Sequence, residues 1–444
     1  MIPRIPYDTW MAGRLGLEKL TREDLCAHQL ERLNRTLVRA KALSPFYSRH
    51  LANITRFPLQ SLEEVADLPF TTPQDVRERG LSMLCVGQGE ISRVVTLSTS
   101  GTTGEPKQLQ FTGDDQDLTL GIFQSSMEQV ARPGEACFVL LPCSTPGGVG
   151  DLLCTAIRKL GARPTAHGAI ANLKETALCM AEEESCTLVG IPAQVLALAR
   201  YCKAKGIDVH VRSALLCTDY VSRAVASTLY DIWNCPVFEY YGMTEACYAG
   251  GMECAAHDGC HMHETDLLVE IVDPESGRVL PDGEEGEVVI TSLLRRGMPL
   301  IRYRTGDISR ILPEPCPCGS VLIRLEKIRR RKHCLLFLGE RELSLSMADL
   351  DEALIPLPWL GKFGAELVQD GQDATLELSL RYFGNRDLSA MQEEVHAALD
   401  TIPEVYKALE ESLLRVRVAL KAMGESISPS AAKRTIRVVT RVKS

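Results

Sequence analysis

Ser98 to Lys107 reads STSGTTGEPK, the densest concentration of hydroxyl and glycine residues in a 444-residue chain. Gly101 and Gly104 permit backbone angles that a Cβ forbids, so successive N–H groups can converge on one point. Converging amides, the hydroxyls of Thr99, Ser100, Thr102 and Thr103, and the Lys107 ammonium make a receptor for phosphate oxygens. The stretch follows the apolar run Val94–Leu97, so it is expected to leave a strand end.

Three further constellations have types and spacing suited to chemistry. Tyr240–Tyr241–Gly242–Met243–Thr244–Glu245 offers an aromatic face for a base, a glycine for close approach and a carboxylate for a divalent cation. Tyr303–Arg304–Thr305–Gly306–Asp307 ends on a carboxylate presented by a turn, which suits the two hydroxyls of a ribose. Cys254, His257, Cys260, His261 and His263, with the distant Cys316–Pro317–Cys318–Gly319, collect thiolates and imidazoles from two segments. That donor set suits tetrahedral zinc. The four ligands expected are Cys254, His261, Cys316 and Cys318, with Cys260 or His257 as a substitute. All-protein ligation would make the site structural.

Composition bounds the setting. The apolar fraction is 45% and the charged fraction 24%, ordinary for a globular chain with a sizeable core. A net charge of −9 argues against nucleic acid as a partner. No apolar run approaches the roughly 20 residues that span a bilayer, and the N-terminus lacks a secretory pattern. A cytoplasmic location is expected, with no membrane partner. Sixteen cysteines then read as buried thiols or metal ligands rather than a disulfide framework.

The elements that must position these residues follow from periodicity. Thr21 and Asp24 open a helix with Leu25, Leu30, Leu33 and Leu37 on one face, closed at Ser44–Pro45. From about 115 to 240, helical pieces alternate with apolar runs at 137–142, 187–192 and 213–218. That alternation predicts parallel strands with crossover helices. Residues 267–312 switch to period two with turn-rich breaks, predicting antiparallel strands. Beyond 327, the helices MADLDEAL and MQEEVHAALDTI alternate with the strands ATLELSLRYF and LRVRVALKA. The expected fold is therefore α/β: a large N-terminal domain over 1–326 with a β-subdomain near 267–326, and a small mobile α+β domain over 327–444.

In this order, STSGTTGEPK, YYGMTE and YRTGD resemble the adenylate-forming superfamily of acyl-CoA ligases, adenylation domains and luciferases. Within it the chain is similar to the phenylacetate–CoA ligase family, through QLERLNRTLVRAKALSPFYSRHL, VADLPFTT and LLVEIVDPESGRVLPDGEEGEVVITSL. The resemblance implies ATP-dependent activation of a carboxylic acid to an acyl-adenylate, with release of pyrophosphate, then transfer to the thiol of coenzyme A. It assigns Thr99, Ser100, Gly101, Thr102, Thr103, Gly104 and Lys107 to the phosphates, Tyr241 to adenine and Asp307 to the ribose. It also assigns Thr244 and Glu245 to phosphate and Mg²⁺, and Gly190–Pro192 with Gly147–Gly148 to the acyl pocket.

Two segments depart from the family pattern. At the expected hinge, where relatives carry paired acids, stands the basic run Ile328–Arg329–Arg330–Arg331–Lys332–His333, which suits an anion such as a phosphate of coenzyme A. Near the end, Pro429–Ser430–Ala431–Ala432–Lys433–Arg434 places alanine where the family has its catalytic lysine, with Lys433 two residues on as a substitute. The altered tail keeps two other readings open: an adenylyltransferase acting on a cofactor or other acceptor, and a nucleotide-binding accessory protein with weakened catalysis. The identity of the acid and a homodimer also remain open.

Overall fold

The computed structural model describes residues 5–97, 106–328, 330–331, 336–338, 341–343, 345–370, 373–430 and 434–440. The chain divides into two compact units that do not follow linear order. One comprises Met1–Pro133, Ser144–Ala162 and Phe238–Ile328; the other comprises Gly134–Cys143, Arg163–Val237 and Arg329–Ser444. Among the described residues, no helix is long and apolar enough to cross a membrane.

The first unit begins with the helix Pro6–Leu15 and the long helix Arg22–Leu43. The second helix opens on a reciprocal cap: the Asp24 amide donates to Thr21 Oγ1 at 3.1 Å, and the Thr21 amide donates to Asp24 Oδ2 at 3.1 Å. Leu25, Leu33 and Leu37 are buried as their spacing predicts. Leu30 is only half-buried, and Gln29 takes the interior position beside it. Its side-chain NH₂ donates there to the carbonyls of Glu264 at 3.1 Å and Leu267 at 3.2 Å, which offsets part of the cost of burying it. Ile91–Leu97 pairs antiparallel with Lys107–Thr112, and the closing pair is Leu97 with Lys107. Residues 98–105 between them lie outside the described residues. An antiparallel meander follows from Val237–Gly242 through Gly250–Glu253 and Cys260–Met262 to Arg324–Leu325. A second antiparallel set pairs Leu267–Val272, Gly286–Ser292 and Tyr303–Ser309.

The second unit contains the predicted parallel strands. Ala136–Leu140 pairs with Arg163–Thr165 on one side and Cys186–Gly190 on the other, and Cys186–Gly190 pairs with Val211–Leu216. The same unit holds a four-stranded mixed sheet in the order Leu414–Ala422, Asp373–Tyr382, Leu360–Asp370, Arg437–Thr440. One hydrophobic core runs through both sheets, from Phe138, Leu188 and Leu216 to Phe363, Leu376 and Val395. The helix Pro192–Lys205 lies within that core and is buried nearly all round from Val195 to Cys202, which is why its apolar residues show no one-sided stripe.

Candidate active site

Lys107 is the first residue of its strand, and its ammonium forms an ion pair with the Glu245 carboxylate. The two side chains are 13% and 14% exposed, so the pair is largely shielded from solvent screening. Lys107 Nζ also donates to the Tyr303 hydroxyl at 3.0 Å, and that hydroxyl donates to Glu245 Oε1 at 3.4 Å. Burial raises the Tyr303 phenol well above its ordinary value, and the nearby charges of Glu245 and Asp307 push it the same way. Tyr303 is therefore a neutral donor at any physiological pH.

Glu245 sits in the single turn Thr244–Ala246, which local strain presents. Cys247 and Tyr248 are consecutive left-handed residues, with φ of 56° and 59°. They are held by the Tyr248 amide on the Met243 carbonyl at 3.0 Å and by the Tyr240 hydroxyl on the Tyr248 carbonyl at 2.6 Å. Gly242 is required by this close return, because a Cβ there would lie 2.9 Å from the Tyr248 carbonyl oxygen. Arg295 completes the support, donating to the Glu245 carbonyl and, at 3.0 Å, to that of Gln110.

Tyr241 donates its hydroxyl to Asp307 Oδ2 at 3.0 Å. Asp307 is 2% exposed and lies within the strand Tyr303–Ser309 rather than on a turn after it. The kink expected of Thr-Gly-Asp is still present as a local irregularity: Gly306 has φ 77°, its amide donates to Glu287 Oε1 at 3.1 Å, and the Asp307 amide donates to Thr305 Oγ1 at 3.0 Å. Tyr303 and Asp307 thus share one strand, and each faces one of the two segments from the YYGMTE motif.

The structure brings together Lys107, Tyr241, Gly242, Thr244, Glu245 and Asp307. Thr99, Ser100, Gly101, Thr102, Thr103, Gly104, Arg329 and Lys433 lie outside the described residues. Sequence reasoning assigned no role to Tyr303 or Arg295. Tyr303 opens the YRTGD motif and could have been singled out there; Arg295 carries no local pattern.

The Cys/His cluster is assembled. One donor atom from each of Cys254, His261, Cys316 and Cys318 lies within 4.8 Å of all the others, and all four residues are buried. Cys254 Sγ is 3.6 Å from Cys316 Sγ, and Cys318 Sγ is 3.5 Å from His261 Nε2. Tetrahedral zinc with sulfur at about 2.3 Å sets sulfurs a little under 4 Å apart, so this donor set fits the ion in type and spacing. Burial pushes the Cys254 thiol up to about 12, whereas Cys318 is lowered to about 6 because His261 and the Ser320 amide outweigh its burial. The two substitutes are occupied elsewhere. His257 Nδ1 is 3.5 Å from Glu253, and Cys260 Sγ lies against the Glu239 carbonyl. His263 is held by Asp266 at 2.6 Å and Ser125 at 3.2 Å.

Known proteins resemble the chain over most of its length. The family described as AMP-binding enzyme matches residues 92–293, the span that carries the phosphate-loop stretch and the Tyr241–Glu245 motif. A phenylacetate-coenzyme A ligase of Aromatoleum evansii is 27% identical over 450 residues, covering 97% of this chain and 99% of that protein. One from Pseudomonas putida is 29% identical over 383 residues, covering 82% and 83%. The crystal structure of 2-hydroxyisobutyryl-CoA ligase in the postadenylation state, in complex with R3-HIB-AMP, superposes with a TM-score of 0.73 at 21% identity, covering 93% of this chain and 89% of that one. The match to the AMP-binding enzyme family lies over residues 92–293, and the fold is that of the solved CoA ligase. Over most of its length the chain is similar to phenylacetate–CoA ligases.

Proposed function

We propose that the protein is an AMP-forming acid–CoA ligase: it activates a carboxylic acid with ATP and passes the acyl group to coenzyme A. The observation that carries this reading is the pairing of Lys107 with Glu245 next to the pairing of Tyr241 with Asp307. The first supplies a cation and an anion for the phosphate chain; the second supplies an aromatic face and a carboxylate for a nucleoside.

Two anions, the carboxylate and the triphosphate, must approach in line, so the work is positioning and charge neutralisation. Asp307 accepts from the ribose hydroxyls, and Tyr241 lies against the base. Lys107 neutralises phosphate charge, and the Tyr303 hydroxyl, accepting from Lys107 and donating to Glu245, holds the two in register. A magnesium ion bound at Glu245 would supply further neutralisation of the leaving pyrophosphate. The ion pair gives the site a resting state in which neither buried charge is left alone. The residues 99–104 are proposed to enclose the phosphates. We further propose that Cys254, His261, Cys316 and Cys318 hold a structural zinc ion that fastens the segment between the two active-site motifs. A cytoplasmic setting supplies ATP and coenzyme A and keeps the free thiols reduced.

The experiment is pyrophosphate release with ATP, Mg²⁺ and a panel of aromatic and aliphatic acids, with and without coenzyme A. Acid-dependent release with turnover that requires coenzyme A supports the ligase. Acid-dependent release that is indifferent to coenzyme A favours an adenylyltransferase, and no release with any acid overturns the reading.

A further inference from the structure

The four residues assigned to zinc come from two hairpins of one compact unit. Cys254 and His261 flank the turn between Gly250–Glu253 and Cys260–Met262, whose outermost backbone pair is Glu253 with Cys260. Cys316 and Cys318 stand in the loop of the second hairpin, 310–326. It is closed by the Glu326 amide on the Arg310 carbonyl at 3.0 Å and by the Leu312 amide on the Arg324 carbonyl at 2.8 Å. The two hairpins lie side by side, because Arg324 pairs with His261 and Leu325 with Cys260. Cys254, Cys316 and Cys318 nevertheless lie past the outermost of these pairs, so the ladder alone does not fix them.

The Arg324 side chain spans the two loops. It is 2% exposed, and its Nη1 donates to the Asp258 carbonyl at 2.8 Å and to Asp258 Oδ2 at 2.5 Å, while Nη2 donates to the Glu314 carbonyl. Asp258 lies in the turn between Cys254 and His261, and Glu314 stands two residues before Cys316. One buried guanidinium therefore joins the turn that carries one pair of ligands to the loop that carries the other. Its side-chain partners are two carbonyls and a carboxylate, not the ligands themselves. The planar fork of arginine suits this task, because it aims donors at separate acceptors from one rigid group.

We propose that Arg324 is a positioning residue for the Cys/His site: its bonds to Asp258 and Glu314 hold the two ligand-bearing loops at metal-binding distance. The inference rests on the zinc reading given above. A metal that gathers donors from two distant segments must order both, and that cost weakens binding. A cross-link formed on folding removes it from the binding step, so the expected effect of losing Arg324 is on metal affinity.

The test uses the full chain with Arg324→Met, Arg324→Lys and Asp258→Ala. Competition for Zn²⁺ against a chromophoric chelator reads affinity, and the visible absorption of the Co²⁺-loaded protein reads tetrahedral thiolate ligation. Hydrogen exchange of the metal-free protein reads the loops at 255–260 and 313–319. Arg324→Met is expected to bind Zn²⁺ about ten- to a hundredfold more weakly while keeping the Co²⁺ spectrum at saturating metal. Exchange in the two loops should rise by about tenfold, with the strand Leu267–Val272 unchanged. Arg324→Lys should recover part of the affinity, because an ammonium restores the charge without the fork. Asp258→Ala, which keeps the carbonyl contacts, should stay within about threefold of the wild type. Equal Zn²⁺ affinity in Arg324→Met and the wild type overturns the proposal alone. So does exchange that rises equally in the loops and in Leu267–Val272, since Arg324 would then act on general stability. A wild-type protein that takes up neither Zn²⁺ nor Co²⁺ overturns the zinc reading, and this proposal with it.

Discussion

The hydroxyl of Tyr241 donates to the carboxylate of Asp307 at 3.0 Å, joining two motifs that stand 66 positions apart in sequence. Each residue is suited to a different part of a nucleoside, and their contact fixes the relative placement of both. Asp307→Ala is expected to weaken ATP binding by at least about tenfold, roughly 1.4 kcal/mol, measured by calorimetric titration. Tyr241→Phe keeps the aromatic face and loses only the hydrogen bond, so its cost should stay near 1 kcal/mol. Equal effects from the two would remove Asp307 from the nucleoside site.

Lys107 and Glu245 are coupled charges in a poorly solvated place. Either single change, Lys107→Met or Glu245→Gln, leaves the partner buried without its counter-charge. In a urea-unfolding double-mutant cycle, the pair should show a coupling energy of about 1–3 kcal/mol. Lys107→Met should also lower kcat/KM for ATP by about a hundredfold, as expected for loss of one preorganised charge at developing phosphate charge. Additive stability effects would show that the ion pair does not organise the site.

The Cys/His cluster predicts about one zinc per chain by elemental analysis. Cys316→Ser and Cys318→Ser should each lose the metal together with thermal stability. Cys260→Ser and His257→Ala should retain it, because both residues are held outside the cluster. Unchanged metal content in the first two variants would contradict the assignment.

Asp266 supplies a pH dependence with a definite sign. Burial alone would raise its carboxyl, but His263 and Arg14 outweigh that and hold it at about 2, against an ordinary 3.8. A carboxyl held lower in the folded protein stabilises it above the unfolded value, and that contribution is lost as pH falls toward 2. The shift corresponds to roughly 2–3 kcal/mol at neutral pH. Asp266→Asn should therefore be destabilised by about that much at pH 7 in urea unfolding. Its deficit should shrink as pH is lowered from about 4 to about 2; a constant deficit would place the effect in packing instead.

Much of the local structure was legible from residue type and spacing. The cap at Thr21, the parallel strands at 136–140, 186–190 and 211–216, and the antiparallel run from 267 all follow from period and punctuation. The strand Leu360–Asp370 did not, because Gly361 and Gly364 interrupt its alternation. Gln29 could not be told from Leu30 as the interior residue, since the carbonyls that accept from its NH₂ come from Glu264 and Leu267. The site residues were legible as types, not as pairs. That Lys107 meets Glu245 138 positions away, or that Arg434 reaches Asp219, depends on which strands become neighbours, and no local pattern encodes that. The grouping of 163–237 with the C-terminal region has the same origin: the helix Pro192–Lys205 packs against the strand Leu360–Asp370.

The central claim is that one site makes an acyl-adenylate and then a thioester. Mass spectrometry of a single reaction measures both: an accepted acid, ATP and Mg²⁺ are incubated first without coenzyme A, which is then added. The account predicts enzyme-bound acyl-AMP in the first phase and its conversion to acyl-CoA and free AMP in the second, with Asp307→Ala lowering both at subsaturating ATP. Formation of ADP, or of acyl-CoA with no acyl-AMP detectable even by rapid quench, would contradict it.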